Sequence, residues 1–130
     1  MRRAGIMHAE LAGRLAALGH TQTVAVTDVG LPVPAQVPLV DLAVVQGLPR
    51  LADVLDALLE ELVLDAHTYA DEADGLPSGE LFAARADRLG DRLTVPHAEL
   101  KTLVRSCSFI VRTGEATPYA NVILRCGVPF

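Results

Sequence analysis

The chain has 130 residues, 51% of them hydrophobic and 21% charged, with a formal net charge of -5 and a mean hydropathy of +0.34. That length holds one domain, and so much apolar surface excludes a disordered polyelectrolyte. Scattered positive charges exclude a basic nucleic-acid surface, and no apolar run approaches the roughly 20 residues of a bilayer span.

The basic start, Met1-Arg2-Arg3, does not lead into an apolar stretch because Glu10 and Arg14 intervene, so a secretory signal is not expected. Aromatic residues are only 4% and Trp is absent, so the core must be Leu, Val, Ala and Ile. An apolar surplus in so short a chain points to an oligomer. Cys107 and Cys126 are too few for a disulfide framework. They read as buried free thiols in a reducing cytoplasm.

In chain order, residues 7–18 carry Met7, Leu11, Leu15 and Leu18 at helical spacing. Gly19 then suits a left-handed residue after the helix. Thr23 to Thr27 reads as a short buried strand, ending at Asp28. Residues 30–34 form a loop because Pro32 and Pro34 forbid a helix. Residues 37–45, with Asp41 in the middle, read as a second strand or extended segment. Pro49 to Leu59 is an amphipathic helix. Residues 62–69 suit either a strand or a continuation of that helix. Asp71 to Gly79 reads as an acidic Gly/Pro loop and residues 80–89 as one helix. Val95-Pro96 leads into a short helix with His97 near its start. Ser108 to Arg112 is a strand, Thr113-Gly114-Glu115 a turn, and Val122 to Cys126 a last strand.

This alternation predicts a three-layer α/β domain with a mainly parallel sheet flanked by helices. The last two strands are too close for an ordinary parallel crossover, so a closing antiparallel pair is compatible with the spacing. Ligands of such sheets lie at the carboxyl ends of the strands, which is where Asp28 stands.

No Cys-x-x-Cys, paired His ligand, P-loop, Gly-x-Gly-x-x-Gly or Gly-x-Ser-x-Gly is present. No metal and no cofactor are therefore expected. The polar candidates lie in loops. His20 can give and take a proton near neutrality, or cap a helix. Asp28 can accept sugar hydroxyls, orient a histidine, or form a turn. His97 and Lys101, four apart, share a helix face, or are merely solvated. Asp41 needs a partner if buried. Tyr119 and Asn121, in the densest polar loop, suit vicinal hydroxyls or stitch a turn. His8 and His67 read as ordinary surface or sheet-face residues.

Taken together, several stretches resemble one family: Gly19-His20-Thr21-Gln22-Thr23, Asp28 to Pro34, Asp41 with Gln46-Gly47-Leu48-Pro49, His97 to Lys101, Arg112 to Glu115, Pro118 to Leu124, and Gly127 to Phe130. Their order and spacing are similar to the D-ribose pyranase and fucose mutarotase family. The His97 motif and Tyr119-Ala120-Asn121 resemble the ribose branch, whereas the fucose branch usually has Gly between its Tyr and Asn. Gln22 and Val29 depart from the usual Asp and Ala, and residues 71–92 match poorly. The resemblance implies a cytoplasmic isomerase with His20 as general acid/base and Asp28, His97, Tyr119 and Asn121 on the sugar. It also implies a ring-shaped homo-oligomer, commonly a decamer of two pentamers, with sites at subunit boundaries. Asp41 and Lys101 could support the site. A mutarotase of another sugar and a non-catalytic sugar-binding protein are the rival readings.

Overall fold

The computed structural model describes residues 1–130. Its centre is a six-stranded sheet in the order β2-β5-β1-β6-β3-β4. The strands are β1 (Thr23–Thr27), β2 (Leu39–Asp41), β3 (Leu64–Ala70), β4 (Asp91–Val95), β5 (Phe109–Arg112) and β6 (Val122–Cys126). Pairs β1–β5, β2–β5 and β3–β4 are parallel. Strand β6 is antiparallel to both β1 and β3. It therefore runs against the other five, as the short connection suggested, but it does not pair with β5. The chain passes over β1 and inserts β6 between β1 and β3.

The helices are α1 (Ala9–Ala16), α2 (Leu51–Leu59), α3 (Pro77–Ala83), α4 (Ala86–Leu89) and α5 (His97–Leu103). Alternation along the strands sends side chains to two faces. Val24, Val26, Val111, Val122 and Leu124 join a cluster with Leu11, Leu15, Leu55, Leu58, Phe82 and Leu89 from α1 to α4. Ala25, Ile110 and Ile123 turn the other way, onto Leu100 and Val104 at α5. Covering both faces is what a mostly parallel sheet requires. Leu51, Leu55 and Leu58 of α2 are each 0% exposed, and burial of each contributes roughly 1.5–3 kcal/mol.

Four local expectations change. The left-handed residue after α1 is Thr21, at φ 67°, rather than Gly19. The second strand is confined to Leu39–Asp41. A helix begins at Pro77, inside the expected loop, since Pro suits a first helical turn. The helix expected over 80–89 is broken into α3 and α4. Strand β4, absent from the sequence reading, is an edge strand with four exposed residues, and its two apolar residues, Leu93 and Val95, are too few to mark it. Gly90 precedes it at φ 71°, with its backbone against Asp65 so closely that a Cβ would overlap the Asp65 carbonyl.

Candidate active site

A cavity of about 500 Å³ opens where β1 and β5 end and β6 begins. It gathers Asp28, His97, Lys101, Tyr119 and Asn121 in its wall. Each comes from a different structural cause.

Asp28 directly follows β1. Its Oδ1 accepts the N–H groups of Gly30 at 2.9 Å and Leu31 at 2.8 Å, which bends the loop as an Asx turn. Its Oδ2 accepts Asn121 Nδ2–H at 2.8 Å, and Asn121 Oδ1 accepts the Asp28 N–H at 3.0 Å. This reciprocal pair sets which way the carboxamide faces and joins the ends of two adjacent antiparallel strands. No histidine is bonded to Asp28; its partners are the loop and Asn121.

Tyr119 sits at φ 60°. Thr117 and Ala120 close a turn around it (Ala120 N–H to Thr117 C=O, 3.3 Å), with Pro118 ahead of it. The third turn position normally takes Gly or Asn when φ is positive. A tyrosine there stores strain, and such strain collects at binding sites. Ser78 of α3 donates its hydroxyl to the Pro118 carbonyl at 2.9 Å and anchors the turn from behind. The Tyr119 ring meets the His97 ring edge-on, centroids 5.2 Å apart at 85°.

His97 opens α5. Pro96 before it supplies no side-chain cap. Instead the Glu72 carboxylate accepts the His97 backbone N–H, at 2.9 and 3.1 Å to its two oxygens. The His97 Nδ1 is buried and has no partner. Lys101, one turn later, lines the same cavity.

Glu115 also lines it, and the sequence reading had not singled it out. Its Oε1 accepts the Ala116 and Thr117 N–H groups and the Thr117 hydroxyl, at 3.1, 3.2 and 2.8 Å. Its Oε2 accepts Leu51 N–H at the start of α2, at 3.1 Å. Burial alone would raise the carboxyl pKa, but these donors outweigh it and hold the group below its ordinary value. Beside it, Gly114 lies so near the Leu48 backbone that any Cβ would collide. That approach brings Gln46 to the cavity rim.

Two candidates lie elsewhere. Asp41, at the end of β2, pairs through both carboxylate oxygens with Arg112 across the strand. The guanidinium holds the Asp41 carboxyl below its usual range. His20 stands before β1, at the opposite end from Asp28, separated by roughly 17 Å of strand. Its side chain is half exposed, with Nε2 3.8 Å from Asp65 Oδ2. His8 caps α1, its Nδ1 accepting the Leu11 N–H at 3.2 Å. His67, in β3, is buried on a sheet face, with Nδ1 3.2 Å from the Leu89 carbonyl. No three His, Cys, Asp or Glu side chains converge as a metal site.

The model of the RbsD / FucU transport protein family matches residues 1–129. The chain is 49% identical to the D-ribose pyranase of Cutibacterium acnes and 51% identical to D-ribose pyranase 1 of Rubrobacter xylanophilus, covering 100% of both proteins in each case. It is similar in structure to Bacillus subtilis RbsD solved with D-ribose, at 36% identity and TM-score 0.94 over 100% of both chains. The fucose mutarotase of Streptococcus pneumoniae shares the fold, at 20% identity and TM-score 0.79, with 96% of this chain and 100% of that one covered. The chain belongs to the RbsD / FucU family.

Proposed function

We propose that this protein is a cytoplasmic, cofactor-independent isomerase that interconverts the β-pyranose and β-furanose forms of D-ribose. What carries the reading is the cavity. Asp28, His97, Tyr119 and Asn121 converge there, in a chain that matches proteins named D-ribose pyranase from end to end. A neutral sugar asks for donors and acceptors rather than a counter-charge. Asn121 and Tyr119 supply both kinds, and Asp28 Oδ2 has a lone pair beyond the one Asn121 uses.

The reaction exchanges one ring for another without oxidation or reduction. A proton leaves the anomeric hydroxyl, another reaches the ring oxygen, and the C1–oxygen bond opens. A different hydroxyl then adds to the aldehyde. His20 is the proton donor to the ring oxygen. Acid–base assistance of this kind contributes roughly 10²–10⁴-fold, and holding the open chain in the closing conformer contributes more.

His20 and the cavity lie at opposite ends of β1, so His20 of one copy serves the cavity of another. This suits a ring assembly, a homodecamer of two pentamers built from single-domain copies. Its apolar contact is supplied by a groove of about 550 Å³ lined by Met7, Leu11, Leu42, Val44 and Leu48. Met7, Val44 and Leu48 are 60%, 72% and 54% exposed, more than an isolated chain accommodates readily. The segment 44–48 joins groove to cavity, since Gln46 lines the latter. A second copy seated in the groove therefore abuts the site. Cys107 and Cys126, both buried and unpaired, suit a reducing cytoplasm.

The test is NMR saturation transfer between the anomeric signals of ribopyranose and ribofuranose. Catalytic amounts of protein should speed that exchange, and speed ribose more than fucose in a sugar panel. Unaltered ribose exchange would leave a binding protein on this scaffold. Faster turnover of fucose would make it a mutarotase.

A further inference from the structure

We propose that His97 is a second catalytic residue, the base that takes the proton from the anomeric hydroxyl. The assignment rests on the ribose-isomerase reading above and adds to it the missing proton acceptor.

Ring opening moves protons at two different oxygens of the sugar, so an acid and a base are both useful at once. The cavity wall holds five side chains of acidic or basic character: Asp28, His97, Lys101, Glu115 and Tyr119. Asp28 is occupied by three donors: Gly30 N–H, Leu31 N–H and Asn121 Nδ2–H. Glu115 is occupied by four. Each carboxylate thereby holds a loop, and what Asp28 Oδ2 has left is an acceptor for a sugar hydroxyl rather than a free base. Lys101 offers donors and no acceptor. Tyr119 brings a hydroxyl that donates and accepts a hydrogen bond, a positioning group rather than a base.

His97 differs from all four. Its ring lines the cavity; Nδ1 is turned into the protein, buried without a partner, which leaves Nε2 as the nitrogen a sugar hydroxyl can reach. The ring is fixed in place. Its edge contact with Tyr119 and the Glu72 clamp on its backbone N–H set its position. Neither contact engages an imidazole nitrogen.

The steps balance. Neutral His97 takes the anomeric proton as the C1–ring-oxygen bond breaks and the anomeric oxygen becomes the carbonyl. The released ring oxygen takes its proton from protonated His20 of the neighbouring copy. For closure the 4-hydroxyl attacks C1 and passes its proton to His20, while His97 returns its proton to the carbonyl oxygen. Both histidines end as they began, and the sugar stays neutral throughout.

The experiment compares wild type with His97→Asn, checking assembly by size, exchange at saturating ribose by saturation transfer, and affinity by calorimetry. The expected result is a maximal exchange rate lower by at least ~100-fold, with ribose affinity changed far less. Added imidazole should restore exchange to His97→Gly. A variant with wild-type maximal rate and weakened affinity would overturn the assignment, making His97 a binding group only. Should the variants fail to assemble, the wild-type protein with ¹⁵N-labelled histidine decides. Its His97 Nε2 resonance should move to a hydrogen-bonded position when ribose binds, and an unmoved resonance overturns the proposal. Wild-type protein that never accelerates exchange overturns the isomerase reading itself, and the assignment with it.

Discussion

Asn121 is 2% exposed and meets Asp28 with both ends of its carboxamide. Turn-stitching and sugar-binding were rival readings of its sequence, yet the geometry gives one residue material for both. Asn121→Ala would leave the Asp28 N–H and Oδ2 without partners. We expect a stability loss of about 1–3 kcal/mol in denaturant unfolding, together with weaker ribose binding by calorimetry. Loss of stability with unchanged affinity would confine Asn121 to the turn. Residue chemistry made Asp28, His97, Tyr119 and Asn121 legible, because polar groups in the loops of an aliphatic chain stand out. Glu115 did not stand out, although it lies in the same loop. Its importance comes from Leu51, 64 positions away, and no local pattern announces such a contact. The left-handed Thr21 and Tyr119 were hidden for a related reason. Tertiary contacts hold them in a conformation that local preference assigns to glycine.

At the scale of elements, Glu115 fastens the loop after β5 to the start of α2, and its own carbonyl accepts the Val29 N–H from the loop after β1 at 2.8 Å. Three segments around the cavity thus meet at one residue, two through its carboxylate and one through its main chain. Its folded-state pKa lies below the ordinary 4.5, so the unfolded chain binds the proton more tightly. The stabilisation is complete above that ordinary value and fades as pH falls through the lower folded one. Glu115→Gln should therefore be less stable than wild type at pH 7, by about 1–3 kcal/mol. The difference should shrink as the pH drops below 4.5, followed by urea unfolding at several pH values. A difference independent of pH would show that the charge is not what braces the loops. Elements with strong burial patterns, such as β1, α2 and β6, were legible because alternation or helical spacing marked them. Strand β4 was not, since an exposed edge strand carries polar residues on both faces. Helix α3 was obscured by Gly75 and Pro77, which read as loop. Its Ser78 nonetheless supports the Tyr119 turn.

For the whole molecule, the proposed assembly gives shortness and apolar surplus a common explanation. The five same-direction strands put their carboxyl ends, and the cavity, on one edge of the sheet. His20 is on the other edge, next to the end of β6, where the Thr21 N–H bonds the Cys126 carbonyl at 2.9 Å. The resemblance implied a site at a subunit boundary containing His20 and the sugar-binding candidates, and the topology sets His20 and the cavity at opposite ends of β1 within one copy. The most direct test is mixing. His20→Ala and His97→Ala, each inactive alone, are unfolded together, refolded as mixed assemblies and assayed for ribose exchange by saturation transfer. Shared sites predict recovery toward about a quarter of wild-type activity, the random fraction in which an intact His20 meets an intact His97 on a neighbour. Mixed assemblies no more active than either parent would contradict the account.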